Sequence, residues 1–312
     1  IQTELYLSHN EWLEGIHMWR PGNPALYDLK IETILDGAVC DSVDTYFGMR
    51  KVGVQNGYVT LNQDACYQRL ILDQGYWPDG LYTAPSDEAM IYDISMAKSM
   101  GFNMLRKHIK VEPLRWYYHC DRLGMLVWQD MPSGGGNYNP VVITAPLVTG
   151  VNLSDHLYPL FARSNAAGRE AFRQELSGMI RHLYNCPCIA MWVPFNEGWG
   201  QFDADDAYDR LRAIDDSRFI DSTSGWYHQT KSDVDSLHIY FQKPHLGRED
   251  LPQLLSEFGG WALKLPEHSF NLKKTYGYRK YTDRAEYVRQ LRAFYLGEIL
   301  PLVPRGLCGA VW

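Results

Sequence analysis

Eight short apolar runs, recurring from residue 68 to the last residue, restrict the folds open to this chain. They are Gln68–Asp73, Gly101–Lys107, Gly124–Asp130, Ile189–Phe195, Arg218–Thr223, Val234–Tyr240, Gln253–Phe258 and Leu307–Trp312. Helical patterns fill most of the gaps. Ser86-Asp87-Glu88 opens the first helix, which runs to Met100 with apolar residues at Met90, Ile94, Ala97 and Met100, and Gly101 stops it. Pro113 begins the second, in the favoured first-turn position. Others span about 167–184, 204–214 and 284–300. The stretch Ser133–Ala166 is rich in Gly, Asn and Pro and reads as a long loop. Eight strands alternating with helices predict an α/β fold, a closed parallel (β/α)8 TIM barrel. No Gly-rich phosphate turn follows any strand, which argues against a doubly wound open sheet.

Residues 1–64 read differently. Alternating runs such as Tyr27–Thr33 and Tyr58–Leu61 are separated by turn signals at Arg20–Pro24, Asp36-Gly37 and Asn56-Gly57. This is the pattern of antiparallel β structure, too short for a complete sandwich of about 100 residues. The expected organisation is therefore a partial β-sandwich over 1–64 and a barrel over 65–312, truncated after its eighth strand.

Composition narrows the partners. The net charge of −7 and the scattered Lys and Arg give no electrostatic reason for nucleic acid or an anionic membrane. The longest strongly apolar stretch, Cys186–Phe195, is far too short to cross a bilayer. Ile1–Asn10 lacks the basic and apolar parts of a signal peptide. The six cysteines show no zinc spacing and read as buried free thiols. Ten Trp and 21 Tyr fit either a large aromatic core or a sugar-stacking cleft.

In a barrel of this kind, function sits at the C-terminal ends of the strands. Those ends supply Asp73, Arg106, His108, Asp130, Asn196, Glu197, His238, Tyr240, Glu257 and Trp312. Two carboxylates on converging strand ends point to glycoside hydrolysis, in which a retaining enzyme pairs a nucleophile with an acid/base. Glu197 and Glu257 end the fourth and seventh strands and are the catalytic candidates. Neither His108 nor His238 completes a metal site, and no organic cofactor or metal is indicated.

Val193-Pro194-Phe195-Asn196-Glu197-Gly198-Trp199 and Ser256-Glu257-Phe258-Gly259-Gly260 resemble glycoside hydrolase family 2. Trp19–Tyr27, Phe47–Arg50, Gly101–Arg106, Cys120–Gly124, Val127–Pro132 and Asp235–Tyr240 continue the resemblance in order along the chain. It implies an immunoglobulin-like domain ending near residue 64. It further implies a retaining exo-β-glycosidase, β-galactosidase-like, with β-glucuronidase or β-mannosidase specificity as alternatives. A non-catalytic carbohydrate-binding homologue is the alternative of another class. By the same resemblance Glu257 is the nucleophile and Glu197 the acid/base. Asn196 contacts the sugar 2-hydroxyl, Tyr240 and Arg106 orient the nucleophile, and Trp312 is a stacking platform. His108, Asp130, His238 and Trp226 are further substrate-binding candidates. Asp73 departs from the Asn-Arg-His-Glu text of the β-galactosidases. Some members hold Mg²⁺ or Na⁺ near the site, the partner expected is a carbohydrate substrate with oligomerisation allowed, and the family setting is periplasmic or extracellular.

Overall fold

A computed structural model describes residues 15–248 and 250–312. The Ile1–Asn10 stretch read for targeting signals, and the start of the expected sandwich segment, lie outside the described residues. Eight parallel strands form one curled sheet. They are β1 (Gln68–Asp73), β2 (Met104–Lys107), β3 (Leu126–Asp130), β4 (Ile189–Val193), β5 (Phe219–Ile220), β6 (Asp235–Ile239), β7 (Gln253–Phe258) and β8 (Leu307–Val311). The order is β5-β4-β3-β2-β1-β8-β7-β6. The chain beyond β5 meets β6 through a parallel bridge between Gly225 and Leu237, which closes the ring. The architecture is a TIM barrel.

The strand interiors are apolar because both faces of the sheet are covered. Every residue of β3, β4 and β8 is buried. The main core joins Leu70, Met104, Val127, Trp128, Met191 and Trp192 to the helix faces. In α1 (Asp87–Ser99) the Ser86 side chain accepts from Ala89 N–H, and Met90, Ile94 and Ala97 are the buried stripe. Met100 caps the helix, and Gly101, at φ +93, takes the left-handed turn that follows. Pro113 stands one residue outside α2 (Leu114–Leu123), as its cap.

Two segments differ from expectation. Ser133–Ala166 contains a helix, α3 (Pro140–Thr149), capped by the Asn139 side chain and ended by Gly150. Its Asn-Pro start is an N-cap followed by an N1 proline, a helix signal inside a Gly- and Asn-rich context. Helices α4 (Ala166–Leu183) and α5 (Ala204–Ile214) fall where predicted. The last helix, α6 (Arg284–Phe294), ends short of Leu300. It widens into a π turn over Tyr295–Ile299 and then a 3₁₀ turn over Leu300–Arg305, where Pro301 and Pro304 lack the N–H groups an α-helix needs.

Ahead of the barrel, Tyr27–Leu35 and Ala38–Phe47 form an antiparallel hairpin. Val52–Gln55, Tyr58–Leu61 and Asp64–Ala65 form a three-stranded sheet. The turn residues Asp36, Gly37, Asn56 and Gly57 all have positive φ, as the Asp-Gly and Asn-Gly signals require. Ile31, Ile34, Val39 and Val43 of the hairpin are more than half exposed. Trp19, Val59 and Leu61, by contrast, belong to the barrel core. Cys120, Cys186, Cys188 and Cys308 are buried free thiols, Cys66 is half-buried, and Cys40 is exposed because its strand is uncovered. Among the described residues no helix is long and apolar enough to cross a membrane.

The leading segment is locked to the barrel at Asp121. Its carboxylate accepts from Tyr46 OH (2.8 Å) and Cys188 N–H (2.7 Å), and its carbonyl accepts from Trp19 Nε1 (2.7 Å). Burial pushes this carboxyl up to about 6 despite those bonds. The folded value lies above the unfolded one of about 4, so this group's contribution to stability is full below pH 4 and is lost as pH rises through 6. Asp121→Asn removes that loss. It should raise Tm, relative to the native protein, more at pH 7.5 than at pH 5 in circular-dichroism melts.

Candidate active site

The site is built around Arg106, which is 0% exposed on β2. Its Nε and Nη2 donate to the two oxygens of Asp130 on β3, each at 3.1 Å. Nη2 also donates to Asn196 Oδ1 at 2.8 Å. Nη1 donates to the Ser256 carbonyl (2.9 Å) and to Glu257 Oε1 (3.1 Å) on β7. A guanidinium has only donors, so this pattern turns the Asn196 amide oxygen inward and leaves its NH₂ free. Burial opposes the charge on Arg106, but Asp130 and Glu257 outweigh it and raise its pKa. Asp130 is likewise pushed up by burial and held below the usual carboxylate range by Arg106 and His108.

Glu197 follows β4 in the left-handed region, at φ +53. Its N–H donates to the Ser224 carbonyl (2.9 Å), which pins the turn to the end of β5. Around the closed ring β4 and β7 are three strands apart, and their ends converge. Glu197, His238 and Glu257 place ligand-type atoms within 4.8 Å of one another. The Tyr240 hydroxyl lies 2.8 Å from Glu197 Oε1 and 2.5 Å from Glu257 Oε2. The two carboxylates are 13% and 12% exposed. Burial pushes the Glu197 carboxyl up, but the bonds from His238 and Tyr240 outweigh it and hold it low. Burial, then the charges of Glu257 and Glu197, push the Tyr240 phenol far up, so it stays protonated.

A register shift between Leu237 and His238 sets the His238 ring against Glu197. Nδ1 lies 2.8 Å from Glu197 Oε1, while Nε2 faces Ser224 Oγ (3.1 Å) and Arg106 Nη1 (3.3 Å). Arg106 can only donate, so Nε2 is the acceptor and Nδ1–H donates to Glu197. Gly225 makes room for this ring: at φ +91, a Cβ there would lie 2.4 Å from it.

The structure thus brings together Arg106, Asn196, Glu197, His238, Tyr240 and Glu257. His108 borders them, with Nδ1 3.0 Å from Asp130 and 3.9 Å from Glu257. Trp226 stands edge-on to His238 at 6.1 Å. It lines a cleft of about 340 Å³ beside the pair, together with Leu147, Asn152, His238, Tyr240 and Phe241. Two residues sit differently from their expected roles. Asp130 is 1% exposed and both its oxygens are taken, so it braces Arg106 and offers nothing to a ligand. Trp312 packs against Phe258, Trp261 and Tyr295, at ring distances of 5.3–5.8 Å, in the layer behind the sheet. Asp73 pairs with Lys107 (2.8 Å) outside the carboxylate pair.

Three neighbours were not read from sequence. Trp199 Nε1 donates to Glu197 Oε2 (3.3 Å), Tyr278 stacks on Tyr240 (4.1 Å), and Ser224 meets His238. Only Trp199, two residues from Glu197, carried a local signal. Among the described residues a second Asp/His group, Asp155, His156 and Asp203, could also gather around an ion. Arg173 and Tyr158 bond Asp203, and Gln201 and Ala204 N–H both bond Asp155 Oδ2.

A parallel barrel with paired carboxylates at its strand ends defines a class of carbohydrate-active proteins. The comparisons make this specific. Residues 83–261 match the model for the TIM barrel domain of glycosyl hydrolases family 2, and residues 8–50 match a second family 2 model. The chain belongs to glycosyl hydrolases family 2. It is 26% identical over 191 residues to a β-glucuronidase of Streptococcus agalactiae, covering 60% of this chain and 29% of that protein. It is 25% identical over 256 residues to a β-galactosidase of Leuconostoc mesenteroides, covering 79% of this chain and 21% of that protein. The chain therefore spans less than a third of the length of these relatives. In fold it is similar to a β-D-glucuronidase of Dictyoglomus thermophilum, with TM-score 0.70, 18% identity, and coverage of 95% of this chain and 52% of that one. A family 2 β-galacturonidase of Eisenbergiella tayi gives TM-score 0.67 with the same identity and coverage.

Asp130→Ala leaves Arg106 buried with its main counter-charge gone. The expected cost is about 3–5 kcal/mol of stability, read from the midpoint of urea unfolding.

Proposed function

We propose that the chain is the catalytic barrel of a retaining β-glycosidase acting on terminal, non-reducing β-linked sugars. The observation that carries the reading is the Tyr240-bridged carboxylate pair, with oxygens within 4.8 Å. Retaining pairs stand roughly 5–5.5 Å apart, whereas an inverting pair needs about 6.5–9.5 Å to admit a water. Glu257, beside Arg106, attacks the anomeric carbon. Glu197 gives a proton to the leaving oxygen, a covalent glycosyl-enzyme forms, and Glu197 then takes a proton from the water that releases the sugar.

The hydrogen bonds are compatible with this division of labour. One phenol proton cannot serve both glutamates. When Tyr240 donates to ionised Glu257, its oxygen is open to accept from Glu197 once that carboxyl takes up the proton the acid step needs. Asn196 has its NH₂ free to meet a sugar 2-hydroxyl, and His108 Nε2 is free to meet another. Among the described residues the cation bonded to Glu257 is Arg106, which is fully buried. The proposed specificity is β-galactosidase-like, with β-glucuronidase or β-mannosidase specificity as the alternatives. We further propose that residues 1–64 end an immunoglobulin-like domain and that 65–312 form the catalytic one. The match over 8–50 and the exposed apolar hairpin face support this division.

A panel of nitrophenyl β-glycosides, with NMR of the first anomer released, tests the reading. One glycoside should be turned over with retention. Glu197→Gln and Glu257→Gln should each lower kcat by at least about 10²–10⁴-fold. Inversion, or activity surviving Glu257→Gln, would overturn it, and sugar binding without turnover of any glycoside would favour a carbohydrate-binding homologue.

The pH profile gives a second test. His238 holds the Glu197 carboxyl low, and the acid must be protonated to act. In His238→Ala that carboxyl should rise, moving the alkaline limb of kcat/KM to higher pH. An unmoved limb would remove His238 from the mechanism.

A further inference from the structure

The stretch from Trp261 to Tyr281 differs from the rest of the chain in charge. It carries Lys264, Lys273, Lys274, Arg279 and Lys280 against one carboxylate, Glu267, in a chain of net charge −7. Lys273, Lys274, Arg279 and Lys280 are exposed, and Lys264 is half-buried. Among the described residues none of these five forms an ion pair. The base of this arm is fixed. Trp261–Leu263 pairs with Arg279–Tyr281, the Arg279 guanidinium lies 4.7 Å over the Trp261 ring, and Lys264 Nζ donates to the Lys274 carbonyl (2.9 Å).

Stacked rings join the arm to the carboxylate pair. Tyr240, which touches both glutamates, stacks on Tyr278 at 4.1 Å and 27°. Gly260, at φ +63, lets the Tyr278 ring approach to where a Cβ would lie 2.6 Å away. The Tyr276 hydroxyl donates to that of Tyr278 (3.3 Å), and Phe241 meets Tyr278 edge-on at 5.1 Å. Tyr276 is 84% exposed and Phe241 64%. Contiguous exposed aromatics mark a binding surface, and their faces suit the apolar faces of sugar rings.

We propose that this arm binds the leaving-group side of an acidic oligosaccharide. The sugars beyond the cleaved bond stack along Tyr278, Tyr276 and Phe241, and Lys273 and Lys274 face their carboxylates or sulfates. The inference rests on the glycosidase reading and deepens it: the substrate is an anionic glycan chain. A bare basic run would attract any polyanion. The unbroken ring-to-ring path to the glutamates is what selects a sugar.

The test is calorimetric binding to the native protein, Lys273→Glu/Lys274→Glu and Tyr276→Ala. The ligands are three oligosaccharides of equal length (neutral, uronate-bearing and sulfated), with polyaspartate as a sugar-free polyanion. At about 0.05 M salt an acidic sugar should bind the native protein about tenfold more tightly than the neutral one. That margin should vanish in the double variant and at about 0.5 M salt, and Tyr276→Ala should weaken all three sugars. Which acidic sugar gains identifies the anion. Equal binding of neutral and acidic sugars, or polyaspartate binding as tightly as they do, overturns the proposal. Hydrolysis of small glycosides without charge preference removes only this inference. Charge preference without hydrolysis of any glycoside removes only the glycosidase reading.

Discussion

Everything at the open end of this barrel depends on one buried cation. Arg106 leaves β2 fully covered and reaches β3, the end of β4 and β7 through Asp130, Asn196 and Glu257. A guanidinium in such a place is tolerated only when its charge and its five N–H groups are met. Asp130 meets most of that demand from below, fixed in turn by His108. What remains of the field falls on Glu257, the less buried carboxylate on the other side. One ion pair thus sets the height of the floor, the orientation of the Asn196 amide and the position of the proposed nucleophile.

The opposite side of the pocket is governed by a narrower device. Strand β5 is two residues long, yet the chain beyond it does much of the positioning. The Ser224 carbonyl holds the Glu197 turn, its hydroxyl meets His238, and Gly225 gives the His238 ring its space while bridging to β6. Barrel closure and the setting of Glu197 are therefore the same few contacts. Two strategies coexist around one pair of glutamates: a saturated ion network under Glu257, and a chain of neutral hydrogen bonds behind Glu197.

Much of this was legible in the sequence, because strand interiors covered on both sides must be apolar while their ends need not be. The bounds of β1 and β7 and the span of α5 follow from that rule and from helical periodicity alone. β2 begins at Met104, later than its apolar run, and Asn103 just ahead of it is bonded through its side chain to Arg69 N–H and the Tyr67 carbonyl. Helix α3 was masked by the composition around it. The site's polar residues could be named, but their partners could not. Tyr278 reaches Tyr240 from 38 positions away along an irregular arm, and no periodicity encodes that stacking. Asp130 and Trp312 show the same limit: residue type and strand-end position do not say whether a side chain faces the ligand, the floor or the layer behind.

The left-handed backbone of Glu197 puts one more fact in a different light. At φ +53 a side chain with a Cβ is strained by roughly 1–2 kcal/mol, and glycine or asparagine would relieve that strain. A designer seeking only a durable barrel would never place glutamate there. Position 197 is thus a point where the best sequence for folding and the best sequence for the pocket part company. Redesigns that optimise this scaffold for stability will tend to erase the carboxylate first.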